Sequence, residues 1–423
     1  MNLGNRLEPG SRSALGGCAI RRCDALSVLF PTAMIFNTFS YYVLFLLPAA
    51  GLFKLAPIGW RPWVLTLSAC LFYLYFSMHG FGGVAGAFCL SIFLWESLFS
   101  RLYRPAALVC LVGVAQSVVL LVVFKYWNYL TGLVWSGALS NPWHWSGAFL
   151  PLGISFFTFE FIHYAFDRYR GKTSAGTVSE YLAFIMFFPT MVAGPIKRYE
   201  DFLPKLRAAE ATLADLQVGV TRILVGLVKK FAIADLMTAF TNHLNAADIV
   251  RADRRVLPVW LLAYGIKIYF DFAGYSDIAI GSARLFGIRV PENFDWPYFR
   301  ANISDFWRNW HISLSQWLFD YVFIPLGGSR VTRLRNYSNL IVTMLVSGVW
   351  HGAGTNFVVW GLWHGMLLTG HRMWRDIRGP REPSTAGLVI GGVFTFVMVN
   401  LGWAFFCMDL PTARLFLTRM FIG

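Results

Sequence analysis

The chain has 423 residues, of which 57% are hydrophobic and only 14% are charged, and its mean hydropathy is +0.54. Soluble domains carry about a quarter charged residues, so this composition excludes an ordinary soluble protein and indicates a polytopic membrane protein. A net charge of +14 would suggest a nucleic-acid partner in a soluble protein. Here it is typical of basic cytoplasmic loops that follow the positive-inside rule, and we expect no nucleic acid.

The first 33 residues differ from the rest of the chain. They contain arginine, glycine and serine, with no long apolar stretch. A signal peptide needs a basic start, an apolar stretch of about 7–15 residues and a small-residue cleavage site, which this pattern fits poorly. We interpret 1–33 as a disordered extension or as sequence upstream of a true start at Met34, and 34–423 as one integral-membrane domain.

Stretches free of Asp, Glu, Lys and Arg predict the membrane spans, because a crossing helix needs about 20 mostly apolar residues. We predict an all-α polytopic membrane protein with roughly ten to eleven transmembrane helices, plus re-entrant and interfacial helices around a central tunnel. Residues 126–147 are rich in Trp and Tyr, which is typical of an interfacial or re-entrant segment. Residues 181–196 contain Phe-Pro and Gly-Pro steps that predict a broken helix. The predicted spans lie near 35–53, 63–77, 80–98, 105–124, 148–166, 257–280, 337–350, 355–371 and 386–407.

The segment 305–328 has the most unusual composition in the chain. Its first half crowds aromatic rings together with Arg308 and His311, and Asp320 follows before a Pro-Leu-Gly-Gly turn. Ionisable side chains are costly within a membrane, so their presence here indicates a functional site. The segment reads DFWRNWHISLSQWLFDYVFIPLGG.

His351 lies in the middle of 336–371, a run without any charged side chain. A neutral imidazole is well suited to take a proton from an alcohol near neutral pH. The small residues around it, in SGVWHGAGTNF, leave space for a substrate beside the ring. The tripeptide Trp-His-Gly recurs at His364, so the residues alone leave open which histidine reacts. A buried histidine bonded to the backbone is a further alternative.

Other catalytic patterns are weak. His351 and His364 do not have the spacing of metal ligands, no HExxH motif occurs, and we expect no metal site. The chain has neither the GxSxG motif of serine hydrolases nor a phosphate-binding P-loop. Asp271 and Asp277 fall on different helical faces, so pairing with Lys267 or with an arginine of the basic loops is favoured over catalysis.

Five ordered stretches resemble the membrane-bound O-acyltransferase family, in particular its bacterial branch. Segment 305–328 resembles the family hallmark, and SGVWHGAGTNFVVWGLWHG resembles the segment that carries the catalytic histidine. The nearest type is the membrane subunit that O-acetylates alginate and similar exopolysaccharides, and teichoic acid D-alanyl transferases are more distant relatives. The other stretches are PLGISFFTFEFIHYAFDRYRG, FFPTMVAGPIKR and YFDFAGYSDIAIGSARLFGIRVPENF.

The resemblance implies a membrane acyltransferase that uses acetyl-CoA as a cytoplasmic donor and O-acetylates an exported polysaccharide. It implies the bacterial cytoplasmic membrane as the location, no bound cofactor, and an extracytoplasmic acetyltransferase or a polysaccharide export complex as partner. His351 would be the essential base or a transient acyl carrier, and His311 the second family histidine. The substrate tunnel and donor site would be formed by Trp307, Arg308, Trp310, Ser313, Ser315, Asp320, Trp350 and Asn356.

The chain departs from the family pattern at a few positions, and other functions remain open. Glu160 stands where relatives often have glutamine, and Cys407 stands where an arginine is common. The chain ends at Gly423, where many relatives continue, so we expect a short variant or a partner that supplies this region. The alternatives are D-alanyl or other acyl transfer to a cell-envelope polymer, an inactive scaffold of an export complex, and a transporter or channel with a histidine proton relay. A transporter predicts paired broken helices in two related halves, which the sequence lacks.

Overall fold

The computed structural model describes residues 36–80, 82–135, 141–146, 149–379 and 384–422. The extension assigned to 1–33 lies outside these ranges. Within them the chain is helical, and its strand-like pairing is limited to one isolated β-bridge between Phe294 and Trp310. In chain order the α-helices are α1 (Leu47–Leu55), α2 (Arg61–Gly80), α3 (Gly83–Phe99), α4 (Ala107–Leu121), α5 (Trp127–Val134), α6 (Ile154–Tyr169), α7 (Val178–Ile185), α8 (Phe188–Met191), α9 (Tyr199–Arg207), α10 (Leu213–Val228), α11 (Thr238–Thr241), α12 (Ala246–Arg251), α13 (Leu257–Leu285), α14 (Ile303–Asn309), α15 (Ile312–Leu318), α16 (Arg333–His351), α17 (Thr355–Arg378), α18 (Thr385–Cys407) and α19 (Leu410–Phe421).

In the described ranges, four helices are long and apolar enough to cross a membrane. These four helices coincide with predicted spans. The predicted number of roughly ten to eleven spans is larger than the number of helices that are both long enough and apolar enough. Helices α2, α16 and α17 occupy the positions of further predicted spans, and they carry more polar side chains. The four are Gly83–Leu102, Ala107–Val134, Arg254–Leu285 and Thr385–Cys407.

The aromatic segment 126–147, predicted to be interfacial or re-entrant, begins as part of a long helical span. Its first part, α5, continues the span Ala107–Val134 through a π-helical turn at Val122–Tyr126. The prediction ended this span at residue 124 because Lys125 is charged. The helix continues because the Lys125 ammonium has hydrogen-bond partners within the protein.

The predicted broken helix over 181–196 is confirmed. Helix α7 ends at Ile185, and the single turn of α8 follows after Phe187. The side chains along this stretch are buried, Phe184 and Phe187 completely. Such non-helical backbone is stable at membrane depth only when it is surrounded by protein, as it is here.

Helices α16 and α17 form a closely packed hairpin with His351 at its turn. The sequence permits this approach because glycine lies at the contact: a Cβ atom on Gly361 would lie 2.5 Å from the backbone oxygen of Met344. Small residues allow helices in a membrane to pack with their backbones close together. The packing fixes the end of α16, and therefore His351, against α17.

Helices α10 and α13 approach through a second glycine contact. A Cβ atom on Gly226 would lie 2.6 Å from the backbone oxygen of Gly274. Ion pairs reinforce the contact, since Asp277 contacts Arg222 and lies 2.6 Å from Lys229. Asp271 pairs with Lys230 at 2.9 Å, and not with Lys267 or an arginine as expected from the sequence. Lys230 lies in the π-helical turn Lys229–Ala234 that follows α10, a proximity that sequence spacing could not reveal.

Candidate active site

His351 is the last residue of α16 and faces a small cavity inside the protein. The cavity measures about 40 Å³, and the ring is partly buried beside it. Edge-to-face contacts hold the imidazole against three aromatic rings, with centroid distances of 4.8 Å to Trp350, 5.1 Å to Trp360 and 5.1 Å to Phe406. A space of this size admits water-sized groups.

His311 faces the same cavity from the break between α14 and α15. Its backbone is left-handed, with φ 43°, which is uncommon for a residue other than glycine. The side chain is 2% exposed, and its Nδ1 atom has no hydrogen-bond partner among the described residues. Phe272 packs edge-on against the ring at 4.6 Å. Strained backbone of this kind is concentrated at functional sites.

The break that positions His311 is held by the segment around Asn293. The backbone nitrogen of Ile312 donates to the backbone oxygen of Asn293 at 2.9 Å. The Ser313 hydroxyl donates to Asn293 Oδ1 at 2.6 Å and accepts from the backbone nitrogen of Ile196 at 2.9 Å. Ser313 therefore connects α15 to the broken helix and supports the site from outside the cavity.

A carboxylate also lines the small cavity. Asp271 is 6% exposed and lies on α13, next to Phe272. From the sequence alone, pairing with a cation is favoured over catalysis for Asp271. One sequence signal does favour a functional role for Asp271, because an ionisable residue within an apolar run of a membrane protein indicates function by default. The remaining walls are Ala193, Ile268, Tyr275, Trp310, Trp360, Trp403 and Phe406.

A second, much larger cavity of about 820 Å³ brings together the polar part of segment 305–328. Four of the predicted donor-side residues line it: Trp307, Arg308, Ser315 and Asp320. It also contains three cationic side chains from the basic clusters of the sequence, namely Arg198, Arg372 and Arg375. Arg198 pairs with Asp320 at 2.6 Å and Arg372 with Asp376 at 3.2 Å, whereas Arg375 has no ion-pair partner in the described part of the chain.

An aromatic wall, formed by Trp307, Trp360 and Trp403, separates the two cavities. Trp307 lines the large cavity and Trp360 the small one, and their rings lie 5.7 Å apart. His364 is completely buried within this wall, 5.1 Å from the Trp307 ring, and lines neither cavity. The geometry therefore favours His351 over His364 as the reacting histidine.

Comparison with known proteins identifies the family. A model of the membrane-bound O-acyltransferase family matches residues 174–409, more than half of the chain, and includes both cavity histidines. The chain belongs to this family. It is therefore a multi-pass membrane protein of the all-α class, and an O-acyltransferase.

Relatives of this acyltransferase are named for acyl transfer to alginate, peptidoglycan or teichoic acid. The chain is 36% identical to the probable alginate O-acetylase AlgI of Azotobacter vinelandii, over 88% of the chain and 75% of the relative. It is 32% identical to the peptidoglycan O-acetyltransferase of Helicobacter pylori, over 90% and 78%. It is 33% identical to the teichoic acid D-alanyltransferase of Bacillus subtilis, over 72% and 79%.

Three predicted site residues of the acyltransferase line neither cavity. Trp350 donates from Nε1 to the backbone oxygen of Ser155 at 3.2 Å, and Asn356 donates to the backbone oxygen of Phe405 at 3.1 Å. Ser313, described above, is the third. These residues brace the walls, and their catalytic contribution stays a prediction.

The described residues contain no group of three or more His, Cys, Asp and Glu side chains arranged to hold a metal ion.

Proposed function

We propose that this acyltransferase moves an acetyl group from acetyl-CoA towards an exported polysaccharide, which becomes O-acetylated. The proposal is supported by the resemblance to alginate and peptidoglycan O-acetyltransferases, which extends over most of the chain. The D-alanyltransferase match covers less of the chain and gives the second candidate, D-alanyl transfer to a cell-envelope polymer. We place the protein in the bacterial cytoplasmic membrane.

The observation that carries the proposal is the shared cavity of His351 and His311. His351 takes the proton of an acceptor hydroxyl, and the oxygen attacks the thioester carbonyl. The C–S bond breaks, and the thiolate leaves with the proton that the imidazole returns. In the alternative route the imidazole nitrogen attacks the thioester carbonyl and the C–S bond breaks. The acceptor oxygen then attacks the acyl group, the N–C bond breaks, and the hydroxyl proton goes to the released imidazole. The surrounding aromatic rings keep competing water away from the thioester.

The large cavity fits the donor. CoA carries several phosphate charges, and arginine binds phosphate oxygens through paired hydrogen bonds. Arg308, Arg372 and Arg375 supply such groups in a cavity of about 820 Å³. We propose that this cavity opens to the cytoplasm, and that the thioester reaches His351 past Trp307. The acceptor side is served by an extracytoplasmic acetyltransferase or by a polysaccharide export complex.

The test is the ester-linked acetate on the exported polysaccharide of a deletion strain. The strain is complemented with the wild type or with His351→Ala, produced at equal membrane abundance. We expect the variant to restore less than about 1% of the wild-type acetate, since loss of a general base costs a factor of about 10²–10⁴.

The matched control is His243→Ala, because His243 is an exposed histidine paired with Asp248 at 3.0 Å. It should restore acetate fully. Full restoration by His351→Ala would assign the protein a scaffolding role instead. If the wild type restores D-alanyl ester and no acetate, the second candidate replaces the first.

A further inference from the structure

Lys125 is a partly buried cation whose role the acyltransferase mechanism does not explain. It lies within the span Ala107–Val134 and has no carboxylate partner in the described ranges. Its ammonium donates to the Ser155 hydroxyl at 3.1 Å and to the backbone oxygen of Trp350. It also lies 5.5 Å from the centre of the Trp350 ring. A charged group inside a span is expensive, so its retention indicates a function.

The neighbouring Tyr126 reaches the same helix end. Its hydroxyl donates to the backbone oxygen of Val349 at 2.5 Å and lies 3.3 Å from that of Trp350. The last carbonyl groups of a helix have no partner within the helix. Here a cation and a hydroxyl from another span satisfy them, and the cation also interacts favourably with the negative end of the helix dipole.

A local irregularity brings both side chains to this point. The span changes from α-helix to a π-helical turn over Val122–Tyr126, and Lys125 and Tyr126 are its last residues. In a regular α-helix successive side chains point about 100° apart. The additional residue in a π turn redirects its neighbours, and such turns are frequent at functional sites.

We propose that Lys125 and Tyr126 are positioning residues that hold the end of α16, so that the His351 ring points into the small cavity. The inference rests on the proposed function. The bonded carbonyls belong to the two residues that precede His351, so they determine the direction of its Cα–Cβ bond. Neither side chain lines the cavity, so both act through His351 and not on the substrate. Both also lie outside residues 174–409.

The kinetic test uses the full-length protein in membranes with acetyl-CoA as donor. We expect Lys125→Met to lower kcat about 100-fold and Tyr126→Phe about tenfold, with the KM for acetyl-CoA within about twofold. The expectation follows because a misplacement of about 1 Å at a reacting group costs up to about 10²-fold. Lys125→Arg, which keeps the cation, should have a kcat at least about tenfold higher than that of Lys125→Met.

The matched controls remove a tyrosine hydroxyl and a lysine ammonium that do not bond to the end of α16. Tyr129 lies one turn after Tyr126, and its hydroxyl bonds the Thr355 side chain at 3.0 Å. Lys267 lies on α13 and donates to the Thr241 hydroxyl at 3.3 Å. Tyr129→Phe and Lys267→Met should both keep kcat within about twofold. In a His351→Ala background, Lys125→Met should cause no further loss, because residues that act as one unit are not additive.

A second readout does not depend on acetyl transfer. The purified protein is treated with diethyl pyrocarbonate, and modification of His351 is followed by mass spectrometry. Lys125→Met and Tyr126→Phe should raise the modification rate by at least about threefold, because a released helix end exposes the ring. Tyr126→Phe removes one hydroxyl only, so it decides the question if Lys125→Met does not fold.

Equal modification rates in the wild type and in Tyr126→Phe would overturn the proposal, and Lys125 would be a tether between spans. A raised rate together with no acetyl transfer by the wild type would keep the positioning role and reject the proposed function. The two failures are therefore distinguishable.

Discussion

Lys197 and Glu160 form an ion pair inside the protein. Their charged atoms lie 2.6 Å apart, and the side chains are 2% and 4% exposed. The pair joins α6 to the segment after the broken helix, and the Lys197 ammonium also lies 4.8 Å from the centre of the Phe184 ring. The lysine explains how the Glu160 carboxylate is accommodated in the interior.

Removal of only one partner should be more damaging than removal of both. Lys197→Met leaves the Glu160 carboxylate buried without a counter-charge, which typically costs about 3–5 kcal/mol. In Glu160→Gln combined with Lys197→Met, both sites are neutral and most of the loss should be recovered. The loss in the single variant and the recovery in the double variant are both measured as the free energy of unfolding of the detergent-solubilised protein. Equal losses in the single and double variants would show that the lysine contributes packing alone.

Arg375 should bind the donor and take no part in the chemistry. Its side chain is exposed in the large cavity and has no ion-pair partner among the described residues. We expect Arg375→Ala to raise the KM for acetyl-CoA about tenfold with kcat unchanged, because a charge-assisted hydrogen bond to phosphate is lost. The difference should shrink as salt concentration rises. Arg330, exposed and outside both cavities, is the control, and an equal effect of Arg330→Ala would contradict a specific contact.

Paired elements depend on close backbone contact, most clearly in the hairpin of α16 and α17. A Cβ atom on Gly361 would lie 2.5 Å from the Met344 oxygen and 3.1 Å from the Leu345 Cα atom. Backbone cannot move aside as a side-chain end can. The hairpin therefore has to separate if this glycine is replaced, and His351 moves with the end of α16.

Gly361→Ala should lower the free energy of unfolding by about 1–3 kcal/mol, the usual effect of overpacking. Acyl transfer should fall as well, because the histidine is displaced. Gly370→Ala is the control on the same helix, since no atom lies within 4 Å of the Cβ position. It should be neutral or stabilising by up to about 1 kcal/mol, as alanine favours the helix. Unfolding and transfer assays on both variants decide whether the contact matters.

At the scale of the whole molecule, the long spans and the site histidines can be predicted from the sequence, whereas contacts between remote residues cannot. Charge-free runs predict most of the long apolar spans, because hydropathy identifies helices that cross a membrane. The span Arg254–Leu285 is the exception, since it contains Lys267, Asp271 and Asp277. His351 is conspicuous because ionisable side chains are rare in such runs, and His311 because segment 305–328 combines ionisable side chains with aromatic rings. Lys125 was misinterpreted as a span boundary, since its partners Ser155 and Trp350 are remote in sequence. The separation of the small cavity from the cavity of about 820 Å³ depends on Trp307 and Trp360, whose contact no local pattern encodes.

The aromatic wall has a consequence beyond catalysis. A hydrated passage from one face of an energised membrane to the other would let protons leak and would dissipate the gradient that the cell maintains. The rings of Trp307, Trp360 and Trp403 are buried against one another, with Trp360 and Trp403 each 1% exposed. Apolar constrictions exclude continuous water even where they do not seal the path sterically. The same wall that divides the large cavity from the small one therefore also provides electrical insulation.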